Sequence, residues 1–370
     1  MTRRLRATLL LKPSDIVPSR VDWEVVGVFN PAVVVVGDEL VILARVAEQP
    51  IERRNGLTPL PRWSGNGQLE VDWIADDDLH ELDARVVAIN GTGDLRLTSV
   101  SHLQVFRCPA PFGWGDAKSA EQSVLTGSTK NREWVLPDAV YEEFGIEDPR
   151  ITKIDDTYWI TYVAVSRHGA CTALMSSLDM KTFHRHGIIF PCENKDVVLF
   201  PEKINGEYVA LHRPNPSSHF SPPQIWIARS PDLIHWGKHE PLLCGCKPWE
   251  GDRVGAGTPP ILIDEGWLLL YHGSETSSVA GQVGRYTVGA LLLDAHEPSR
   301  VVARSAVPIM TPITDYEKEG FVPNVVFPTA MQRHNDTLQV FYGAADTCIA
   351  IAEFSKREII ESLITQNGKP

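Results

Sequence analysis

The chain has 370 residues, 43% hydrophobic and 22% charged, the profile of a folded soluble protein of one or two domains. Thirty-five Lys+Arg against 47 Asp+Glu leave a net charge of -12. That balance argues against general nucleic-acid or anionic-membrane binding, both of which require a basic field. No apolar run approaches the length of a membrane span. The basic N-terminus turns apolar only briefly before Lys12 and Pro13, so no signal peptide is expected. Cysteines at 108, 171, 192, 244, 246 and 348 form no disulfide framework, and Cys244-Gly-Cys246 lacks the second pair of a zinc ribbon. Reduced thiols and a cytoplasmic setting follow as the expectation.

Short β-rich runs recur in chain order: VVVVG (33–37), ELVILARV (39–46), SHLQVFR (101–107), RITKI (150–154), TYWITYVAV (157–165), QIWIARS (224–230), WLLLYHG (267–273) and TLQVFYG (337–343). Turn residues such as Asp155-Asp156, Asn205-Gly206 and Asp264-Glu265-Gly266 bound them. The class is therefore all-β, with one helical candidate at Lys356 to Leu363. The runs fall into five units sharing one grammar: a proline, a strand, a turn, an aromatic-rich strand and a short apolar strand. The unit prolines are Pro31, Pro149, Pro201, Pro259 and Pro328. Their later spacings match a four-stranded blade and predict a single five-bladed β-propeller over residues 1–370. The step from Pro31 to Pro149 is too long for one blade. The excess at about 47–98 is polar and Gly-rich and reads as an insertion in the first blade. A split into two domains there, or a pair of β-sandwiches, are the competing architectures.

In a propeller, the starts of innermost strands meet at the axis. Glu147-Asp148-Pro149-Arg150 opens the second unit. Pro149 holds Asp148 out of the helical region, which points to a fixed carboxylate. The blander reading is a turn carboxylate paired with Arg150. Asn30 opens the first unit. Second strands end in Arg45, Arg167, His212-Arg213, His272 and Ala344-Ala345-Asp346, while Lys203 lies in the first strand of the third unit and Arg253 precedes the fourth. Basic groups at equivalent positions in an acidic chain suggest a local anion site. Against it stands simple pairing with local carboxylates. Trp63 and Trp114, in loop-like stretches, are candidates for stacking on sugar faces. GDRVGAG (251–257) does not fit a dinucleotide fingerprint and reads as a close approach or a turn between blades. No triphosphate loop and no metal-ligand spacing occur.

Six stretches carry a resemblance: FNPAVVVVGDELVILARV, GIEDPRITKIDDTYWITYVAVS, NKDVVLFPEKINGEYVALHRP, VGAGTPPILIDEGWLLLYHG, ARSAVPIMTPITDYEKEGFVPNVVFPTA and VFYGAADTCIAIA. In this order, from about residue 25 to 355, the chain resembles glycoside hydrolase family 130, the β-mannoside phosphorylases and related β-mannosidases. The resemblance implies a five-bladed propeller. It implies that Asp148 is a general acid working through a sugar hydroxyl, with inorganic phosphate attacking the opposite face of the anomeric carbon with inversion. It further implies phosphate contacts at Arg167, Lys203 and His272, with Arg150 beside them. Sugar contacts are implied at Asn30, Arg45, His212, Arg213 and Asp315. Arg253 stands where relatives are expected to carry lysine. The expected co-substrate is phosphate and the partner an oligosaccharide such as mannosyl-glucose or a β-manno-oligosaccharide. No cofactor or metal is expected, and a homo-oligomer is a candidate assembly. Alternatives are an inverting β-mannosidase using water and a non-catalytic sugar-binding propeller.

Overall fold

The computed structural model describes residues 2–64, 68–114, 133–215, 220–277 and 283–365. The chain is nearly all β, arranged as five successive antiparallel sheets. Sheet I holds Trp23–Val36, Glu39–Pro50 and Val100–Pro109, with Trp134–Val135 on its edge. Sheet II holds Gly145–Ile154, Thr157–Ser166, Gly169–Ser177 and His184–Phe190, and is linked to sheet I through a parallel Gly145–Ser101 pairing. Sheet III holds Asn194–Leu199, Tyr208–Pro214, Ile225–Ser230 and Gly237–Leu243. Sheet IV is built on Arg253–Ala256, Gly266–Ser274, Tyr286–Leu293 and Val301–Ser305. Sheet V holds Val326–His334, Thr337–Ala344 and Cys348–Ser355, and takes its fourth strand, Arg4–Leu11, from the N-terminus. That last strand is absent from the expected set; its charged, half-exposed pattern carries little periodic signal. The helix Lys356–Ser362 follows sheet V, with the Ser355 hydroxyl accepting from the amide of Glu358.

Hairpins close where a left-handed residue is tolerated. Asn205 at φ 54 and Gly206 at φ 84 form such a turn, as does Asp155 at φ 52. The runs between turns are buried on both faces, because each sheet packs against the next. Ala32 and Leu43 of sheet I meet Ile146 and Ile160 of sheet II. Leu174 of sheet II meets Leu199 and Ala210 of sheet III. Val209 and Leu211 of sheet III meet Trp267 and Leu269 of sheet IV. Leu270 and Val288 of sheet IV meet Leu338 and Val340 of sheet V. Phe341 and Ile351 of sheet V return to Val33 and Ile42 of sheet I. The packing is therefore cyclic.

Three sheets share one polar device. The buried carboxylate of Glu142 accepts from the Tyr162 hydroxyl (2.6 Å), from Arg185 and from the amides of Asp138 and Ala139. Glu250 does the same with Tyr271 (2.7 Å), Arg304 and the amides of Cys246 and Lys247. Glu317 repeats it with Tyr342 (2.7 Å), Arg4 and the amides of Ile313 and Thr314. Each triad ties the loop before a sheet to its second and fourth strands.

Between the second and third strands of sheet I, the chain leaves to form two small sheets. One pairs Leu57–Trp63 with Leu69–Ala75, and the other joins Leu79–Asp83, Val86–Ile89 and Leu95–Leu97. Trp63 is 5% exposed and packs with Trp23 and Val100, while Trp114 stacks edge-on to Phe112. Neither indole lines the cavity described below, which corrects the expectation that they meet a sugar: both are consumed in packing.

Candidate active site

The first strands of sheets I, II and III each carry a bulge at the same place. In sheet I the pairing skips from Phe29–Arg45 to Ala32–Leu43; in sheet II from Glu147–Val163 to Arg150–Thr161; in sheet III from Lys195–Arg213 to Val198–Leu211. Two residues thus oppose one, the definition of a β-bulge, which re-aims side chains. The first bulge residue in each case has left-handed backbone: Asn30 at φ 47, Asp148 at φ 47 and Asp196 at φ 57. Non-glycine residues at such angles are found where surrounding structure enforces them, often at functional sites. All three, together with Phe29, Glu147 and Lys195 just before them, line one cavity of about 470 Å³.

Asp148 Oδ1 accepts from Asn30 Nδ2 at 2.8 Å and from Arg45 Nη1 at 2.9 Å. Oδ2 carries no hydrogen bond among the described residues. Arg45 also binds Glu147 at 2.7 Å and the Ser101 hydroxyl at 3.0 Å, and its guanidinium lies 4.5 Å over the Phe29 ring. Burial pushes the Asp148 carboxyl up, but the charges of Arg45 and Arg150 and the bonds from Asn30 and Arg45 outweigh it, so its pKa falls below the usual carboxylate range. Close packing supports this corner: a Cβ at Gly343 would collide with Asn30 Oδ1.

A second cluster surrounds Asp196. Arg213 Nε lies 2.7 Å and His272 Nε2 3.5 Å from Asp196 Oδ2, and Arg150 Nη2 lies 4.0 Å from Asp196 Oδ1. All four side chains are buried. The contacts are close but poorly aligned. Asp196 Oδ2, Arg213 Nε and Nη1, Arg150 Nη2 and both His272 nitrogens are left without a hydrogen bond. Buried polar groups rarely stay unsatisfied, so this cradle is suited to receive a polar group. Burial drives the His272 imidazole down to about 3, despite the opposing pull of Asp196, so the ring is neutral and can accept or donate. Gly255 is required here, since a Cβ would strike Asp196 and His272; the glycines of 251–257 thus serve a close approach within the protein. Of this cluster Asp196 and Arg213 line the cavity, together with Lys195, Asp252, Arg253 and Tyr286, whereas Arg150 and His272, both expected at the phosphate, are not in its lining. Among the described residues no group of three or more His, Cys, Asp or Glu side chains is arranged to hold a metal ion.

Several expected site residues stand elsewhere. Arg167 lies beyond the end of its strand at Ser166; the residue in register with the bulge is Val163, and Arg167 is 67% exposed and paired with Glu143 at 2.5 Å. Lys203 follows the end of its strand at Leu199 and sits exposed, 4.5 Å from the Tyr208 ring. The expectation of a phosphate site built on Arg167 and Lys203 is revised accordingly: Lys195 and Arg213 are the basic side chains of that region that line the cavity. His212 neighbours Arg213 along an alternating strand and so faces away, stacked on Phe190 and bonded to Asn194 (3.0 Å) and His239 (3.1 Å). Asp315 begins a four-residue helix, is exposed, and is not in the cavity lining. The carboxylate that does line it from sheet V is Asp346.

A family model described as beta-1,4-mannooligosaccharide phosphorylase matches residues 122–365. A beta-1,2-mannobiose phosphorylase of Listeria innocua is 39% identical over 361 residues, covering 96% of each chain. A 1,2-beta-oligomannan phosphorylase of a Thermoanaerobacter species is 42% identical over 222 residues, 58% of this chain and 70% of its own. The solved structure of the Listeria innocua beta-1,2-mannobiose phosphorylase, in complex with beta-1,2-mannobiose, superposes with a TM-score of 0.84 at 36% identity over 95% of this chain and 96% of that one. Sequence and backbone thus agree along the whole length, and the chain belongs to glycoside hydrolase family 130.

Proposed function

We propose that this protein catalyses the inverting phosphorolysis of a β-mannoside by inorganic phosphate, releasing α-mannose 1-phosphate, with β-1,2-mannobiose as the first substrate to test. The linkage rests on the Listeria innocua relative, which covers 96% of the chain, insertion included. The reading is carried by one observation above the rest: a bulge-held carboxylate, Asp148, lines the same cavity as Lys195 and Arg213, and the buried Arg213 has hydrogen-bonding capacity left unused. Cyclic packing of five sheets supports a single five-bladed propeller, with the bulges around its axis. Six unpaired cysteines agree with a reducing, cytoplasmic setting.

In this mechanism Asp148 is the general acid, and its Oδ2 faces the substrate hydroxyl that passes the proton to the glycosidic oxygen. Phosphate binds beside Lys195 and Arg213 in the cavity lining, with Arg150 and His272 buried around Asp196 outside that lining. It attacks the anomeric carbon, the glycosidic bond breaks, and the leaving sugar keeps the proton. Phosphate is itself a nucleophile, so no base is needed. A dianion in the cavity also weakens the positive field that keeps Asp148 ionised, letting the carboxyl hold a proton in the loaded site. Glu147 is engaged by Arg45 at 2.7 Å, which disfavours its use on water.

Asp148→Asn should keep mannobiose binding and lower turnover by about 10²–10⁴-fold. The decisive assay incubates the protein with β-1,2-mannobiose, with and without phosphate, and resolves mannose from mannose 1-phosphate. Equal release of free mannose in both tubes would overturn phosphorolysis in favour of a mannosidase.

A further inference from the structure

We infer that Cys171 and Cys192 form a thiol modification site, closed to a disulfide by a low-molecular-weight disulfide, and that its state tunes the phosphate side of the cavity through Lys195. The coupling to phosphate rests on the reading of the site as a β-mannoside phosphorylase; the chemistry of the two thiols stands apart from it.

Cys192 is exposed and Cys171 is buried, and the two thiols lie within hydrogen-bonding reach of each other. The backbone fixes this contact. Cys171 stands in the third strand of sheet II, between Ala170 and Thr172. The Ala170 amide donates to Glu193 Oε1 at 3.0 Å, and the Thr172 hydroxyl donates to the Asn194 carbonyl at 3.1 Å. The strand around Cys171 is thus stitched to the segment that carries Cys192. Gly169 lies two residues before Cys171 and so on the same side of the strand. A Cβ there would sit 3.3 Å from Cys192 Cβ and 3.4 Å from its Sγ.

The two thiols play different parts. Cys171 packs with Ile146 and Ala164 between sheets I and II, and its Sγ donates to the Ala164 carbonyl at 3.6 Å. Burial pushes this thiol up to about 12, so it is protonated and shielded from a reagent in solution. Cys192 is open to one. Its thiolate attacks one sulfur of the reagent disulfide, whose S–S bond breaks, and the departing reagent thiolate takes up the proton that Cys192 gave. Cys171 then attacks Cys192 Sγ and passes its proton to the second reagent thiolate as that leaves. Two protein thiols are oxidised, and one reagent disulfide is reduced to two thiols.

The pair sits directly ahead of the cavity wall. Lys195, three residues after Cys192, lines the cavity. Three residues span no more than about 10 Å. The link has no slack: the Glu193 carbonyl accepts from the Asn215 amide at 3.0 Å, and Asn194 is buried and paired with Pro214. Lys195 pairs in turn with Arg213, and Asp196 beside it holds the left-handed bulge. Drawing Cys192 onto Cys171 therefore moves the strand end that presents both basic side chains. Asn30, Arg45 and Asp148 are carried by other strands, off this path.

The test uses the full chain as wild type, Cys192→Ser and Cys171→Ala, each treated with oxidised glutathione and then with dithiothreitol. Unreduced peptide mapping reads the linkage. Mannose 1-phosphate release gives KM for phosphate and for β-1,2-mannobiose, and calorimetry gives phosphate binding. Oxidised wild type should carry a Cys171–Cys192 cross-link. Its phosphate KM should rise by about tenfold, the worth of one charge-assisted hydrogen bond, while the mannobiose KM moves by less than about twofold. Dithiothreitol should reverse the change. Cys192→Ser should match reduced wild type before and after treatment. Cys171→Ala should stop at one glutathione on Cys192; if that variant fails to fold, Cys192→Ser carries the comparison. Absence of the cross-link, glutathione on Cys244 or Cys246 alone, an unchanged phosphate KM, or both KM values rising together would each overturn the inference. A wild type that forms the cross-link but releases no mannose 1-phosphate in either state sinks phosphorolysis, and phosphate binding, oxidised against reduced, then decides the coupling.

Discussion

In the proposed mechanism Asp148 gives up a proton from surroundings that favour its ionised form. Asn30 and Arg45 both bind Oδ1, and Arg150 adds charge, which together overcome the effect of burial. In the empty site the carboxyl is therefore ionised at neutral pH, and the proton has to arrive with the substrates. Binding of phosphate with an unreactive mannoside analogue at pH 7 should take up about one proton per site. Calorimetry in two buffers of different ionisation enthalpy measures this directly. No uptake would mean that the proton comes from phosphate itself. The importance of Asp148 was legible in its sequence because Pro149 follows it. Asp196 holds the equivalent bulge in sheet III but is followed by Val197, so alignment on prolines settled on Pro201, five residues past the bulge. The usable signal was Lys195-Asp196, two charges directly ahead of the apolar run Val197–Phe200. Asp346 stands at the equivalent strand end in sequence, but as a turn carboxylate in YGAAD it has no periodicity to set it apart from any solvated hairpin, so it carries no site role there.

At the level of elements, strands and turns were readable because alternating apolar runs end at Asn, Asp and Gly residues that tolerate left-handed backbone. Register was not readable. Arg213 pairs with Lys195 at the bulge of sheet III and lines the cavity, whereas the equivalent position in sheet II is Val163, and Arg167 stands past the strand end and is solvated. The Glu–Tyr–Arg triads were likewise hidden, since their members lie tens of residues apart and in one case at opposite chain ends, Arg4 and Tyr342. Each buried glutamate satisfies a tyrosine hydroxyl, an arginine and two amides. Removing it strands them all. Glu250→Ala should cost about 3–5 kcal/mol, because it leaves the Arg304 charge without its partner. Tyr271→Phe, which removes one hydroxyl, should cost only about 1–3 kcal/mol. Urea unfolding of both variants checks the ratio; similar losses would show that the tyrosine, and not the carboxylate, organises the triad.

For the molecule as a whole, the N-terminal strand Arg4–Leu11 pairs with Cys348–Ser355 and so completes sheet V with residues from the far end of the sequence. Packing that runs from sheet to sheet and back to the first leaves little room for polar side chains, and three histidines are buried neutral as a result. Burial lowers His102 to about 4, His212 to about 3 and His272 to about 3. The sign follows from linkage. In the unfolded chain each imidazole takes up a proton as pH falls through about 6.5, whereas the folded protein refuses it until pH 3–4. Stability is therefore fully present above pH 6.5 and is lost as pH falls below it. Each histidine contributes up to about 1.4 kcal/mol of loss per pH unit. Asp346 opposes this, because burial raises its carboxyl above the usual range, but it is one group against three. With a total stability of about 5–15 kcal/mol expected for a folded protein, the loss should bring unfolding within reach of mild acid. Urea midpoints measured from pH 7.5 to pH 5 should hold steady to about 6.5 and then decline. His102→Leu, whose ring packs edge-on against Trp134, should flatten the decline by about one third. A midpoint constant down to pH 5 would mean that these imidazoles take up protons in the folded state, and that the interior is wetter than its packing indicates.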